Sequence, residues 1–206
     1  MDQGIDSSQT DLLATMRRRS TRSYCHGQRV GLLAAAFGDW LGLEASHVGR
    51  LRYAAELHDI GKLALSAELL EKPGTLDVKD WHTIRLHPAV GHRLLRQGHG
   101  SWAEMAAMVA LQHHECWDGS GYPCGLSGGA ISPEARIVAI CDVYDALREE
   151  RTYKPALVHD HALDLILHGD ETNRLRPAMF DPALLVLLRA KAEALMTAYE
   201  TAAKEL

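Results

Sequence analysis

The chain has 206 residues, 47% of them hydrophobic and 24% charged, a balance that supports one folded domain with a proper core and excludes extensive disorder. A net charge of -5 argues against the long basic surface that a nucleic-acid polymer needs, whereas a small anionic ligand needs only a few local cations. Twelve histidines are the unusual feature, because histidine is the commonest metal ligand and the commonest acid/base side chain.

The N-terminal stretch MDQGIDSSQT has neither a basic n-region nor an apolar h-region, and no apolar run in the chain approaches a membrane span. The expectation is a cytoplasmic protein with no membrane contact. The cysteines at 25, 116, 124 and 141 form no CxxC pair, so they read as thiols, not as a zinc ribbon or a disulfide framework. After a polar tail of about 10 residues, TDLLATMRRRS predicts a short helix capped at Thr10 or Asp11, with a basic end suited to a helix C-terminus.

From Tyr24 to Leu41 the apolar positions Val30, Leu33, Ala34 and Phe37 recur at helical spacing, and His26 lies on the same stripe. A further helix carries Val48, Leu51, Ala55 and His58 on one face, with Gly61 expected as its stop just after the His58-Asp59 pair. Asp77 predicts the cap of a long helix, bent at Pro88, with Trp81, Ile84, His87, Gly91 and Leu95 on a shared side. WAEMAAMVALQHHE is helical and ends in His113 and His114. Ser132-Pro133 opens another helix, in which Asp142 ends the apolar run IVAIC. A short helix over 161–168 and a last one behind Asp181-Pro182 complete an all-α chain of about seven to nine helices, with no convincing strand or repeat. The stripe Leu184, Leu188, Leu195 and Ala198 is expected to close the core, the alternative being a subunit contact.

Taken singly, His26 or His87 on an apolar stripe reads as a hydrogen-bonded core histidine, and a buried Asp142 calls for either a salt bridge or a metal. Taken together, His26, His58, Asp59, His87, His113, His114 and Asp142 all fall on or at the ends of inward helical faces, which one shared metal centre explains. Mixed imidazole and carboxylate donors suit Fe, Mn, Zn, Ni or Co better than Ca or Mg. Seven donors overfill a single catalytic site that keeps a position open, so two metals are expected.

The segments HDIGK at 58–62, HHECWDGSGYP at 113–123 and RIVAICDVYDALREERTYK at 136–154 resemble HD-GYP domains, the branch of the HD metallohydrolases that cleaves cyclic di-GMP. HGQRV at 26–30, LLEKPGTL at 69–76, HPAVG at 87–91 and FDP at 180–182 extend the resemblance over roughly residues 20–190. It implies an HD-domain helical bundle with a buried metal centre, with residues 20–206 as the catalytic domain and 1–19 as a tail and short helix. It also implies two divalent transition metals, Fe or Mn ahead of Ni, Co or Zn. His26, His58, Asp59 and Asp142 would hold one ion; His87, His113 and His114 would hold the other, with Asp59 bridging.

The implied activity is hydrolysis of cyclic di-GMP to linear pGpG, or on to GMP, by a metal-bridging hydroxide. Asp59 and Lys62 are the catalytic residues, Lys62 acting electrostatically, and the general acid is unassigned. Lys62, Arg151 and Lys154 are the implied substrate-binding cations, although by spacing alone REER reads as a solvated helix end. Asp118, Gly119, Gly121, Tyr122 and Pro123 make a turn-rich loop beside the metals whose residues mark the family more than they mark catalysis. Members with a third metal carry glutamate four residues before the first histidine, whereas this chain has Arg22, which disfavours a third cation and puts the step from pGpG to GMP in doubt. The alternatives are a weakly active cyclic di-GMP sensor and a hydrolase of another cyclic dinucleotide such as cyclic GMP-AMP. A regulatory partner protein or a homodimer is left open.

Overall fold

The computed structural model describes residues 7–70, 72, 74–98, 100–150 and 155–205. Among them are eleven α-helices: α1 (Ser7–Arg19), α2 (Thr21–Trp40), α3 (Ala45–Glu56), α4 (Ala67–Leu70), α5 (Val78–Ile84), α6 (His87–Leu95), α7 (Ser101–Gln112), α8 (Pro133–Arg148), α9 (His159–His168), α10 (Pro182–Ala190) and α11 (Ala192–Glu205). Short 3-10 turns lie at Ile60–Ala64, Gly128–Ala130 and Pro177–Met179, and no described residue is in a strand. The all-α expectation holds, but the helices are shorter and more numerous than the apolar pattern suggested. No helix among the described residues is long and apolar enough to cross a membrane.

Several helix starts follow local chemistry. Asp77 accepts from the Lys79 and Asp80 amides, and Asp80 answers with a bond from the Asp77 amide, a reciprocal capping box. Ser132 Oγ accepts from the Ala135 amide and Asp181 from the Ala183 amide, each ahead of a proline at the first helical position. The first helix begins earlier than the Thr10 or Asp11 cap predicts, at Ser7, and its Met16 is buried in the core.

The central helix is α2. It packs against α3, α8, α11 and α1, and a second layer is made where α7 meets α3, α6 and α8. Val30, Leu33, Ala34 and Phe37 are fully buried, as the stripe predicts, and each of the larger side chains contributes about 1.5–3 kcal/mol of burial. Leu184, Leu188 and Leu195 join this same core and Ala198 packs against it, so the C-terminal stripe closes the chain on itself.

Two expectations are corrected. Pro88 does not bend one long helix; α5 ends before Arg85 and α6 starts at His87. Proline has no amide hydrogen for the Ile84 carbonyl four residues back, and its ring crowds that turn. Trp81 is consequently not on a buried stripe with His87 and Leu95, but 52% exposed.

Gly61, expected as a left-handed helix stop, does not have a positive φ. Its role is close approach: a Cβ there would lie 2.0 Å from the His87 carbonyl oxygen and 2.6 Å from the Gly91 amide nitrogen. Backbone meets backbone at this point, so Gly61→Ala must push α6 away from the turn after His58-Asp59. The expected cost is about 1–3 kcal/mol, read as a lower urea midpoint with an unchanged slope.

Candidate metal centre

Five pieces of chain deliver the seven sequence-predicted donors to one place. His26 comes from α2, His58 and Asp59 from the turn after α3, His87 from the first residue of α6, His113 and His114 from the end of α7, and Asp142 from the middle of α8. Their donor atoms fall into two groups, each within 4.8 Å: His26, His58 and Asp142 in one, and Asp59, His87, His113 and His114 in the other. Asp59 faces both. Its Oδ1 lies 3.2 Å from His87 Nε2 and 3.7 Å from His113 Nε2, while its Oδ2 lies 3.5 Å from His58 Nε2 and 3.9 Å from His26 Nε2. Lys62 Nζ, three residues on, also bonds Oδ2.

The backbone sets the ring orientations. His58 Nδ1 donates to the Ala55 carbonyl at 2.6 Å, His87 Nδ1 to the Ile84 carbonyl at 2.7 Å and His113 Nδ1 to the Ala110 carbonyl at 2.9 Å. The Ile84 carbonyl is the one that Pro88 leaves without a helical partner. A carbonyl can only accept, so in each ring the proton sits on Nδ1 and the Nε2 lone pair points inward.

These lone pairs make the arrangement fit a cation. His87 Nε2 and His113 Nε2 face each other at 3.2 Å, acceptor against acceptor, and His58 Nε2 and Asp59 Oδ1 are buried without a hydrogen-bond partner. Unpartnered buried acceptors are costly, and a divalent ion between them removes the cost. Donors that share an ion at about 2.1 Å lie roughly 3–4.2 Å apart, and the pairs around Asp59 fall between 3.2 and 3.9 Å.

In the group around Asp59 the electrostatics agree with this. Burial drives the His113 imidazole down to about 4, and burial with neighbouring His113 holds His114 well below its usual value, so both stay neutral, the form that ligates metal. Burial works against the Asp59 carboxylate, but Lys62, His58 and His113 outweigh it and keep it well below the usual carboxylate range. For His26 burial is again opposed, here by Asp142 and Asp145, which raise the imidazole to about 10.

Sequence reasoning missed the residues that hold the donors. Asp145, fully buried, accepts from His26 Nδ1 at 2.6 Å and from Arg29 Nε at 2.6 Å and Nη2 at 2.8 Å. Arg29 also reaches Glu149 at 3.2 Å, and Glu149 pairs with Arg22 at 3.0 Å. Arg22, His26 and Arg29 on α2 thus form a ladder against Asp142 and Asp145 on α8 and Glu149 at its C-terminal cap. The signal was present as two three-residue spacings, His26/Arg29 and Asp142/Asp145, each on one helical face.

The loop after His114 is fastened by Glu115, another residue that sequence reasoning did not single out. Its buried carboxylate accepts from the Cys124 amide at 2.6 Å and the Leu126 amide at 2.9 Å. Gly121 packs where a Cβ would sit 2.3 Å from the Cys116 amide nitrogen, and Gly119 has φ +80°. Asp118 binds the Ser120 amide and Arg176 and stays outside the donor groups. Tyr122 stacks on His114 at 4.8 Å, while Pro123 is exposed. Arg151 and Lys154 lie outside the described residues. A cavity of about 400 Å3 opens over His113, His114 and Asp142, walled by the loop, by Trp81 and Arg85, and by Met179 and Phe180.

A family model described as an HD domain matches residues 9–179. The chain belongs to the HD domain family. It is 40% identical to the cyclic di-GMP phosphodiesterase response regulator RpfG of Xanthomonas campestris over 81% of this chain and 43% of that protein. It is 38% identical to the 3'3'-cGAMP-specific phosphodiesterase 2 of Vibrio cholerae over 86% of this chain and 33% of that protein. The chain therefore spans less than half the length of these relatives. The HD domain of the L. monocytogenes phosphodiesterase PgpH shares the fold, with a TM-score of 0.61 at 18% identity over 90% of this chain and 97% of that one. The two donor groups give an HD domain of this kind the means to bind divalent metal.

Asp145 turns His26 without touching the donor groups' centre. Asp145→Asn should keep the side chain's shape, lose the charge that orients His26 and Arg29, and lower metal affinity by about 10- to 100-fold in a chelator-competition titration.

Proposed function

We propose that this chain is a metal-dependent phosphodiesterase that opens cyclic di-GMP to linear pGpG. The observation that carries this reading is the pair of donor groups meeting at one carboxylate, Asp59, beside a cavity of about 400 Å3 that His113, His114 and Asp142 help to line. Relatives that cleave cyclic dinucleotides support it by their names and by identities near 40%. The first ion would be held by His26, His58, Asp59 and Asp142, the second by Asp59, His87, His113 and His114, with Fe or Mn preferred for mixed nitrogen and carboxylate donors.

When bound, two such ions act as Lewis acids on a phosphodiester and make a nucleophile of water at neutral pH. The chain's own part is positional. Lys62 places a cation beside Asp59, where it offsets charge that builds on the phosphoryl oxygens, and it moves no proton. The neutral His113 and His114 line the cavity floor, and Tyr122 covers His114 on one side, limiting access of bulk water. Arg151 and Lys154 would add cations for the dinucleotide. Arg22 carries a positive charge, held by Glu149, where a third cation's ligand would be needed, so the reaction should stop at pGpG.

A second reading has a specific observation behind it: the Vibrio relative named for 3'3'-cGAMP is nearly as similar as the cyclic di-GMP enzyme, so hydrolysis of a mixed cyclic dinucleotide is the alternative. One anaerobic assay with Fe(II) or Mn(II), offering cyclic di-GMP and 3'3'-cGAMP with metals quantified, separates them. Wild type should form pGpG, and Asp59→Ala should lose bound metal and activity together. Full activity in Asp59→Ala would refute the site. Tyr122→Phe, which keeps the ring stacked on His114, should leave turnover near wild type; a collapse in turnover would give the hydroxyl a chemical role that this reading denies it.

A further inference from the structure

Two side chains on the cavity wall are left over by the metal chemistry. Trp81 and Arg85 stand four residues apart at the end of α5, so they share a face, and both line the cavity. Trp81 is 52% exposed, an aromatic ring left open in the cavity wall. The Arg85 guanidinium lies 4.3 Å over the ring of Tyr122, which is itself stacked at 4.8 Å on His114. Arg85 is thus placed two stacking distances from a metal-facing imidazole.

The Arg85 guanidinium has no ion-pair or hydrogen-bond partner among the described residues, and the Arg85 amide alone is bonded, to the Trp81 carbonyl. Stacking on Tyr122 uses the face of the guanidinium and leaves its N–H donors, which lie in the plane, pointing outward. Such a fork grips two adjacent acceptors in one plane. A phosphate offers that, and so does the O6/N7 edge of guanine. The neighbouring indole decides between them, because an exposed aromatic face gives a purine a stacking platform and gives a phosphate nothing.

We infer that Trp81 and Arg85 form a base-recognition subsite at the cavity mouth, the indole stacking on a purine and the guanidinium bonding O6 and N7 of guanine. The subsite rests on the dinucleotide reading above, since a phosphodiester above His113 and His114 carries its nucleoside to this rim. Adenine presents an amino donor beside N7, so it meets one of the two guanidinium donors with another donor and is selected against.

The test compares cyclic di-GMP with cyclic di-AMP on metal-loaded full-length wild type, Arg85→Ala and Trp81→Ala. Preference is the ratio of kcat/KM values, or of Kd values if the protein binds without turnover. Wild type should prefer cyclic di-GMP; Arg85→Ala should lower that ratio by about 10- to 100-fold. Trp81→Ala should weaken both ligands by about tenfold and leave the ratio unchanged. Both residues are exposed, so the variants should fold, which circular dichroism verifies.

If Arg85→Ala weakens both ligands equally, Arg85 is a phosphate clamp and the subsite is wrong. Wild type without preference overturns it as well. Bis(p-nitrophenyl) phosphate, a phosphodiester with no purine, isolates the metal centre: wild type that cleaves it yet neither binds nor cleaves a cyclic dinucleotide refutes the dinucleotide reading together with the subsite. Cleavage of cyclic di-GMP with an unchanged ratio in Arg85→Ala refutes the subsite alone.

Discussion

Taking the Asp59 carboxylate out of water at the end of α3 costs several kcal/mol, and the surrounding structure is arranged to offset that cost. Lys62 comes from the next turn, His58 from the preceding residue, and His87 and His113 from two other helices. The same demand explains why α6 must come close enough for Gly61 to touch its backbone. A side chain at position 61 would hold His87 away from the carboxylate.

The chain's own hydrogen bonds hold the donor rings. Of the five donor imidazoles, three are tied through Nδ1 to carbonyls three residues earlier and His26 to Asp145, while His114 is packed against the Tyr122 ring, so the inward lone pairs converge. Side chains locked in this way bind metal with little loss of conformational freedom. Asp145 links this order to stability as well, because its bidentate pairing with Arg29 joins α2 to α8 across the core.

The cavity wall contrasts with its floor. His113 and Glu115 are buried and tied to backbone, His113 through Nδ1 and Glu115 through two loop amides, whereas Trp81 and Arg85 stand exposed at a short helix before Pro88. Rigid donors beneath and open aromatic and cationic groups above suit a site whose chemistry is common to a family and whose choice of ligand is made at the rim. Glu115 joins the two levels, since one carboxylate holds two amides of the loop that carries Tyr122.

Much was legible from local chemistry. The caps at Asp77, Ser132 and Asp181, the buried stripe of α2 and the inward position of all seven donors follow from spacing, because helical period and capping act within a few residues. The break at Pro88 was misread as a bend, since period alone does not say whether the chain resumes its axis. Arg29, Asp145, Glu115 and Arg85 escaped notice for a different reason. Each takes its meaning from a partner 9 to 119 residues away or from the open space beside it, and one sequence does not show which charges meet. The amino-acid sequence determined by itself the all-α class, several helix caps and a set of inward histidines and aspartates that together suit a shared cation. Tertiary structure alone decided that Asp59 stands between two groups of donors and that Arg85 lies over Tyr122, because those relations depend on how separate helices pack, not on the pattern within any one of them.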